Sequence, residues 1–200
     1  MLPIKSYKLS ISDIENDILK KTILSHQKRW EVGIPEKWKD FAKAASNIKY
    51  ITAEQWGQHA PLLTFETLMY NYVYPKIDEF ILEHYPDRAG EPYHTDHCWY
   101  MIYVGDGNQV PHNHLENNGV KSADYCCSGS YYVEIPWDGY RVFNIYDKSP
   151  RDNNGGEIIN VIHPQEKQLL LFDSGLWHEA IQRDTKNRSI TIAFNAHFIS

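Results

Sequence analysis

The spacing of apolar residues along this chain changes near its middle. In the first half they recur every three or four positions, the spacing of one helix face; from Trp99 onward they alternate, as in strands. Ser12-Asp13 reads as the cap of a helix running to about Trp30, with Ile14, Ile18, Leu19 and Ile23 as its apolar stripe. Pro35 stands at a favoured first helical position and opens a second helix over 36–45. Thr52-Ala53-Glu54-Gln55 has the form of a capping box. A longer helical pattern runs from Leu62 to His84 and contains Pro75, which predicts a kink or a break there.

The alternating half predicts strands over 97–104, 129–135, 141–146, 157–162, 167–173, 177–182 and 188–198, with 152–156 as a turn. Helices followed by strands, without β-α alternation, argue against a doubly wound parallel sheet. The expected fold is mainly β: a double-stranded β-helix, or jelly roll, packed against N-terminal helices. At 200 residues the chain fits one domain, with 1–92 as its helical half and 93–200 as its jelly-roll core.

Composition narrows the partners. Hydrophobic residues make up 42% and aromatic residues 14%, which suits a β-rich core and excludes disorder. A net charge of −6 without a Lys/Arg block argues against nucleic acid. No apolar stretch approaches the ~18 residues a membrane span needs, and no leader is evident. The cysteines are Cys98, Cys126 and Cys127; an odd count with an adjacent pair is a poor disulfide framework and points to a reducing, cytoplasmic setting. Cys126 and Cys127 read as small buried side chains.

The candidate chemistry lies in Pro111-His112-Asn113-His114, in Leu169 to His178, and in Arg188 to Asn195. Residues i and i+2 of a strand share a face, so His112 and His114 can point into one cavity, and a jelly roll can bring His178 opposite them. Imidazole suits iron, zinc, copper and nickel. His94-Thr95-Asp96 is a rival pair, spelled like a His-x-Asp facial motif but set in a turn-forming segment. Arg188 heads a strand face that continues with Ile190, Ile192 and Phe194. An arginine aimed inward there needs an anion, and the distal carboxylate of a 2-oxoacid would supply it.

On these residues, together with Ser128-Gly129-Ser130-Tyr131-Tyr132-Val133, the chain resembles the 2-oxoglutarate/Fe(II) oxygenase superfamily over residues 97–198. Within it the chain looks most like a small family of bacterial and phage 2OG-Fe(II) oxygenases. The resemblance implies a jelly roll using Fe(II), 2-oxoglutarate and O2 to hydroxylate or desaturate a small-molecule or peptide substrate. His112 and His178 would be metal ligands and Arg188 the co-substrate anchor. The chain departs from the pattern twice. His114 stands where a carboxylate is usual, implying a three-histidine site. Arg188-Ser189-Ile190 lacks the usual second serine, so Tyr103, Tyr131 and Asn144 become candidates for the second co-substrate contact. The alternative is a cupin-type metalloprotein with three histidines and Glu116, working without 2-oxoglutarate.

Overall fold

Two antiparallel sheets face each other across the candidate site, and helices cover the far side of the larger one. The computed structural model describes residues 2–29, 48–51, 62–115, 124–151 and 155–199. The larger sheet contains β1 (Ile4–Lys8), β2 (Ile48–Ile51), β3 (Tyr93–Val104), β5 (Tyr125–Glu134), β8 (Gln168–Phe172) and β10 (Arg188–Phe198). The smaller contains β4 (Gly107–His112), β6 (Tyr140–Tyr146), β7 (Ile158–Ile162) and β9 (Trp177–Arg183). The strand orders are β1-β8-β5-β10-β3-β2 and β4-β9-β6-β7. This is the expected jelly roll, with its strands near the predicted positions. The helices expected over 36–45 and after Thr52 lie outside the described residues.

β10 explains the layering. It is buried from Ser189 to Phe198 because both its faces are covered. Ile190, Ile192, Phe194 and Ala196 join a core with helical residues such as Leu19, Ile23, Val73 and Phe80. Thr191 and Ala193 face the smaller sheet. β5 divides the same way: Tyr131 and Val133 pack toward the helices, while Ser130 and Tyr132 line the space between the sheets.

Helix α1 (Asp13–Arg29) begins with a reciprocal cap. The Ser12 backbone N–H donates to Glu15 Oε2 at 2.9 Å, and the Glu15 N–H donates to Ser12 Oγ at 3.2 Å. Leu19 and Ile23 are buried, but Ile14 and Ile18 are 73% and 49% exposed. The inward face is instead shared with Asn16, whose Nδ2 donates to the Val133 carbonyl and whose Oδ1 accepts from Tyr131 Oη. That polar tether turns the helix so that positions 14 and 18, half a turn away, face outward.

The pattern from Leu62 to His84 is divided as Pro75 predicts. α2 (Leu62–Leu68) runs into a π-helical turn over Met69–Val73, and α3 (Tyr74–His84) follows with Pro75 in its first turn. The wider turn accommodates a residue that has no N–H to donate and whose ring crowds the preceding carbonyl. Among the described residues no helix is long and apolar enough to cross a membrane. The three cysteines are free and buried, with Cys126 Sγ 3.9 Å from Cys127 Sγ.

Gly129 sits where β5 crosses under the fully buried Phe194. A Cβ at position 129 would overlap the Phe194 ring. Gly129→Ala is expected to cost roughly 1–3 kcal/mol through overpacking, read as a lower denaturation midpoint at unchanged m-value.

Candidate metal centre

His112 ends β4, and its partner across the ladder is His178, near the start of β9. His114 lies two residues beyond the strand rather than on it, but its backbone N–H donates to the Ser174 carbonyl at 2.9 Å. That bond ties the β4 exit to the turn preceding β9. The turn is itself held: Asp173 Oδ1 accepts from the Gly175 N–H at 2.7 Å, Tyr85 Oη donates to Asp173 Oδ2, and Ser174 Oγ meets Ser128 Oγ at 2.9 Å. Ser128 Oγ in turn donates to Asn195 at 2.8 Å. Thus the Ser128, Ser174 and Asn195 side chains of the sequence motifs brace the turn whose Ser174 carbonyl holds the His114 backbone.

The three imidazoles converge so that one nitrogen of each lies within 4.8 Å of the others, and they form the one such ligand cluster among the described residues. His112 Nδ1 meets the Val110 carbonyl at 2.8 Å, and His178 Nδ1 meets the Leu176 carbonyl at 2.8 Å. A carbonyl can only accept, so both Nδ1 atoms carry the proton and both Nε2 atoms present a lone pair. His114 Nε2 stands 3.2 Å from His178 Nε2. Phe143 stacks on His178 with centroids 5.1 Å apart, and Trp99 lies 6.0 Å from His114, which limits ring motion and keeps water out.

Burial keeps all three rings neutral. It pushes His112 down to about 4, with the charge of Arg151 acting in the same direction. His114 and His178 are driven well below the ordinary histidine value by burial first and by their neighbours' potential charge second. An unperturbed imidazole takes up a proton near pH 6.5; burial moves that protonation lower for all three rings. Neutral, converging imidazoles are the donor set that a divalent metal requires.

The histidines line a narrow space between the sheets, shared with Trp99, Gln109, Arg141, Phe143, Phe172 and Thr191 among others. Arg141 is the residue that sequence reasoning missed. It is 3% exposed, and its guanidinium carbon lies 3.7 Å from the centroid of the Tyr103 ring. Among the described residues its Nε and Nη1 have no hydrogen-bond partner, nor do the hydroxyls of Ser189 and Thr191 on the facing strand. On the smaller sheet Arg141 pairs with Gln182 and Ile145 pairs with His178, so one inward pair, Phe143 and Ala180, separates the arginine from His178. A buried guanidinium with free donors requires an anion, and a five-carbon dicarboxylate reaching from the histidines would provide it.

The structure does not bring Arg188 to the histidines. The apolar face it heads does run inward, but into the helical core. Its Nε donates to Glu134 Oε2 at 2.7 Å, a carboxylate that also pairs with Lys20, so its charge is already compensated. Ser189, on the strand face opposite Arg188, shares the inward face of Thr191 and Ala193 instead. Tyr103 supports Arg141 from below. Tyr131 faces the helices, where its hydroxyl donates to Asn16. Asn144, adjacent to inward-facing Phe143, turns to the outer side of the smaller sheet and donates to Glu179 at 2.9 Å. Strand parity separates Tyr131 and Asn144 from the cavity, whereas Tyr103 shares the β3 face of Trp99 and Met101, which line it. His94 is exposed, its ring 4.0 Å from that of His197, and is not part of the cluster. The Asp96 side chain and Glu116 lie outside the described residues.

Residues 97–195 match the model of the family described as "Putative 2OG-Fe(II) oxygenase". No curated protein sequence is significantly similar to this chain. Among solved structures, the non-heme alpha ketoglutarate dependent carbocyclase SnoK from nogalamycin biosynthesis is similar, with a TM-score of 0.69 at 8% identity, covering 98% of this chain and 80% of that one. HygX from Streptomyces hygroscopicus, with nickel, 2-oxoglutarate and hygromycin B bound, gives 0.59 at 13% identity, covering 98% and 83%. The viral collagen prolyl hydroxylase vCPH from Paramecium Bursaria Chlorella virus-1, in complex with 2OG, gives 0.57 at 14% identity, covering 98% and 96%.

Proposed function

Since this chain belongs through residues 97–195 to the 2OG-Fe(II) oxygenase family and is an Fe(II)/2-oxoglutarate-dependent dioxygenase, we propose that His112, His114 and His178 hold its iron and Arg141 the distal carboxylate of its co-substrate. The reaction is hydroxylation or desaturation of a small-molecule or peptide substrate. The carrying observation is a buried arginine with free N–H groups in the same cavity as three neutral, converging imidazoles. The prolyl hydroxylase and the hygromycin-bound protein support a peptide or small-molecule substrate.

When bound, Fe(II) and 2-oxoglutarate supply the activation of O2: one oxygen atom leaves in succinate as CO2 is lost, and the other serves to oxidise the substrate. The residues supply the rest. Nδ1–H bonds to backbone carbonyls fix the tautomers of His112 and His178. Arg141, braced on Tyr103, fixes one end of the co-substrate, and the Phe143, Phe172 and Trp99 rings exclude water. No side chain has to act as a base. Three neutral ligands leave the metal one unit more positive than two histidines and a carboxylate would, which favours a dianionic acid in the remaining positions.

The test is anaerobic Fe(II) loading followed by succinate formation with 2-oxoglutarate and O2. His114→Asp is expected to keep iron and turnover, whereas His114→Ala loses iron affinity by more than about ten-fold. An alanine variant with wild-type iron content would remove His114 from the ligand set.

A further inference from the structure

Gln109 lies on β4 three residues before His112, is 7% exposed, and lines the cavity beside the triad. Its Nε2 is 3.2 Å from His112 Nε2. Because the His112 proton sits on Nδ1, Nε2 is an acceptor there, and the Gln109 amide must be the donor. This contact engages the lone pair that a metal needs. Once a cation takes that lone pair, the Gln109 N–H is left buried without an acceptor unless a new one arrives at the same place. The nearest acceptor that loading can introduce is a carboxylate oxygen of the chelating acid, held beside His112.

We propose that Gln109 is a positioning residue for the co-substrate: its side-chain amide passes from the His112 lone pair to the metal-side carboxylate of 2-oxoglutarate and so selects the direction in which the acid chelates. The idea rests on the metal and co-substrate roles proposed above. Arg141 would hold the far carboxylate and Gln109 the near one, the two fixing the acid's orientation from side chains that line the same cavity. The amide also makes metal loading and co-substrate binding cooperative, because the donor freed by the first step is used by the second.

The experiment uses the full chain loaded anaerobically with Fe(II), with 2-oxoglutarate as the probe. Three quantities are read for wild type, Gln109→Leu, Gln109→Asn and Gln109→Glu: bound metal, the dissociation constant of 2-oxoglutarate, and the visible charge-transfer absorption of the Fe(II)–2-oxoglutarate complex. Gln109→Leu is expected to retain metal while binding 2-oxoglutarate on the order of ten-fold more weakly, the worth of one hydrogen bond to a charged group. Its absorption maximum should shift, because an uncompensated carboxylate donates more strongly to iron. Gln109→Glu should bind worse than Gln109→Leu through like-charge repulsion, and Gln109→Asn should recover part of the affinity. Wild-type affinity and an unshifted band in Gln109→Leu would overturn the proposal, as would loss of metal in that variant, which would make Gln109 a metal ligand. A wild type that takes up Fe(II) but fails to bind 2-oxoglutarate would overturn the proposed residue roles as well.

Discussion

Arg141→Met is expected to abolish 2-oxoglutarate binding at ordinary concentrations while leaving the fold at least as stable as before. The two effects share a cause. With co-substrate bound, a buried guanidinium gripping a carboxylate is worth about 2–5 kcal/mol, or roughly thirty-fold to a few thousand-fold in affinity. Without it, Arg141 is a buried cation with unpartnered Nε and Nη1, and methionine removes that burden while still covering the Tyr103 ring. The check is a 2-oxoglutarate titration of metal-loaded protein together with denaturation of the ligand-free form. Arg188→Met is the control: it should leave co-substrate affinity unchanged and cost no more than about 1 kcal/mol, since its ion pair with Glu134 is partly exposed. If Arg188→Met weakened 2-oxoglutarate binding and Arg141→Met did not, the anchor would have to be returned to the strand where sequence spacing first put it.

Acid is expected to unfold the metal-free protein steeply between about pH 6.5 and 4. In the unfolded chain each histidine takes up a proton near pH 6.5. In the folded protein burial pushes His112 down to about 4 and holds His114 and His178 well below their usual value. Above pH 6.5 neither state is protonated and the triad adds no pH dependence. Below it the unfolded state binds protons that the folded state refuses, so stability falls as pH falls, by up to about 4 kcal/mol per pH unit if all three rings contribute. The loss levels off only below the folded values. Bound metal should delay the transition to lower pH, because it binds the folded state alone. Urea denaturation from pH 7 to 4.5, with and without Fe(II) under anaerobic conditions, measures this. His178→Phe, which keeps the stacking on Phe143, should reduce the slope by about one third. A slope corresponding to a single proton would mean that the three rings do not share one buried site.

Alternation made most of the jelly roll legible before any coordinates, because β5, β6, β8, β9 and β10 are long or apolar enough for their period to stand out. β1 is five residues with little contrast, and β4, Gly107-Asn-Gln-Val-Pro-His112, carries polar residues and a proline and does not look like a strand. The histidines were legible for a chemical reason: imidazoles at 112 and 114 share a strand face if the strand continues, and the structure brings His178 to them.

The proposed anchor, Arg141, was not legible, because sequence periodicity tells which residues share a face but not which layer that face meets. Ile190, Ile192 and Phe194 proved that Arg188 heads a buried face, and the sheet's two buried sides are indistinguishable until the helices are in place. The same ambiguity misplaced Tyr131, Asn144 and Ser189, each one strand position from the opposite assignment. Residue type, spacing and hydrophobic period therefore determined the fold class and which histidines could converge, since those are local properties of the chain. Only the tertiary structure decided which arginine has no partner, because charge compensation by Glu134 or its absence at Arg141 depends on residues tens of positions away.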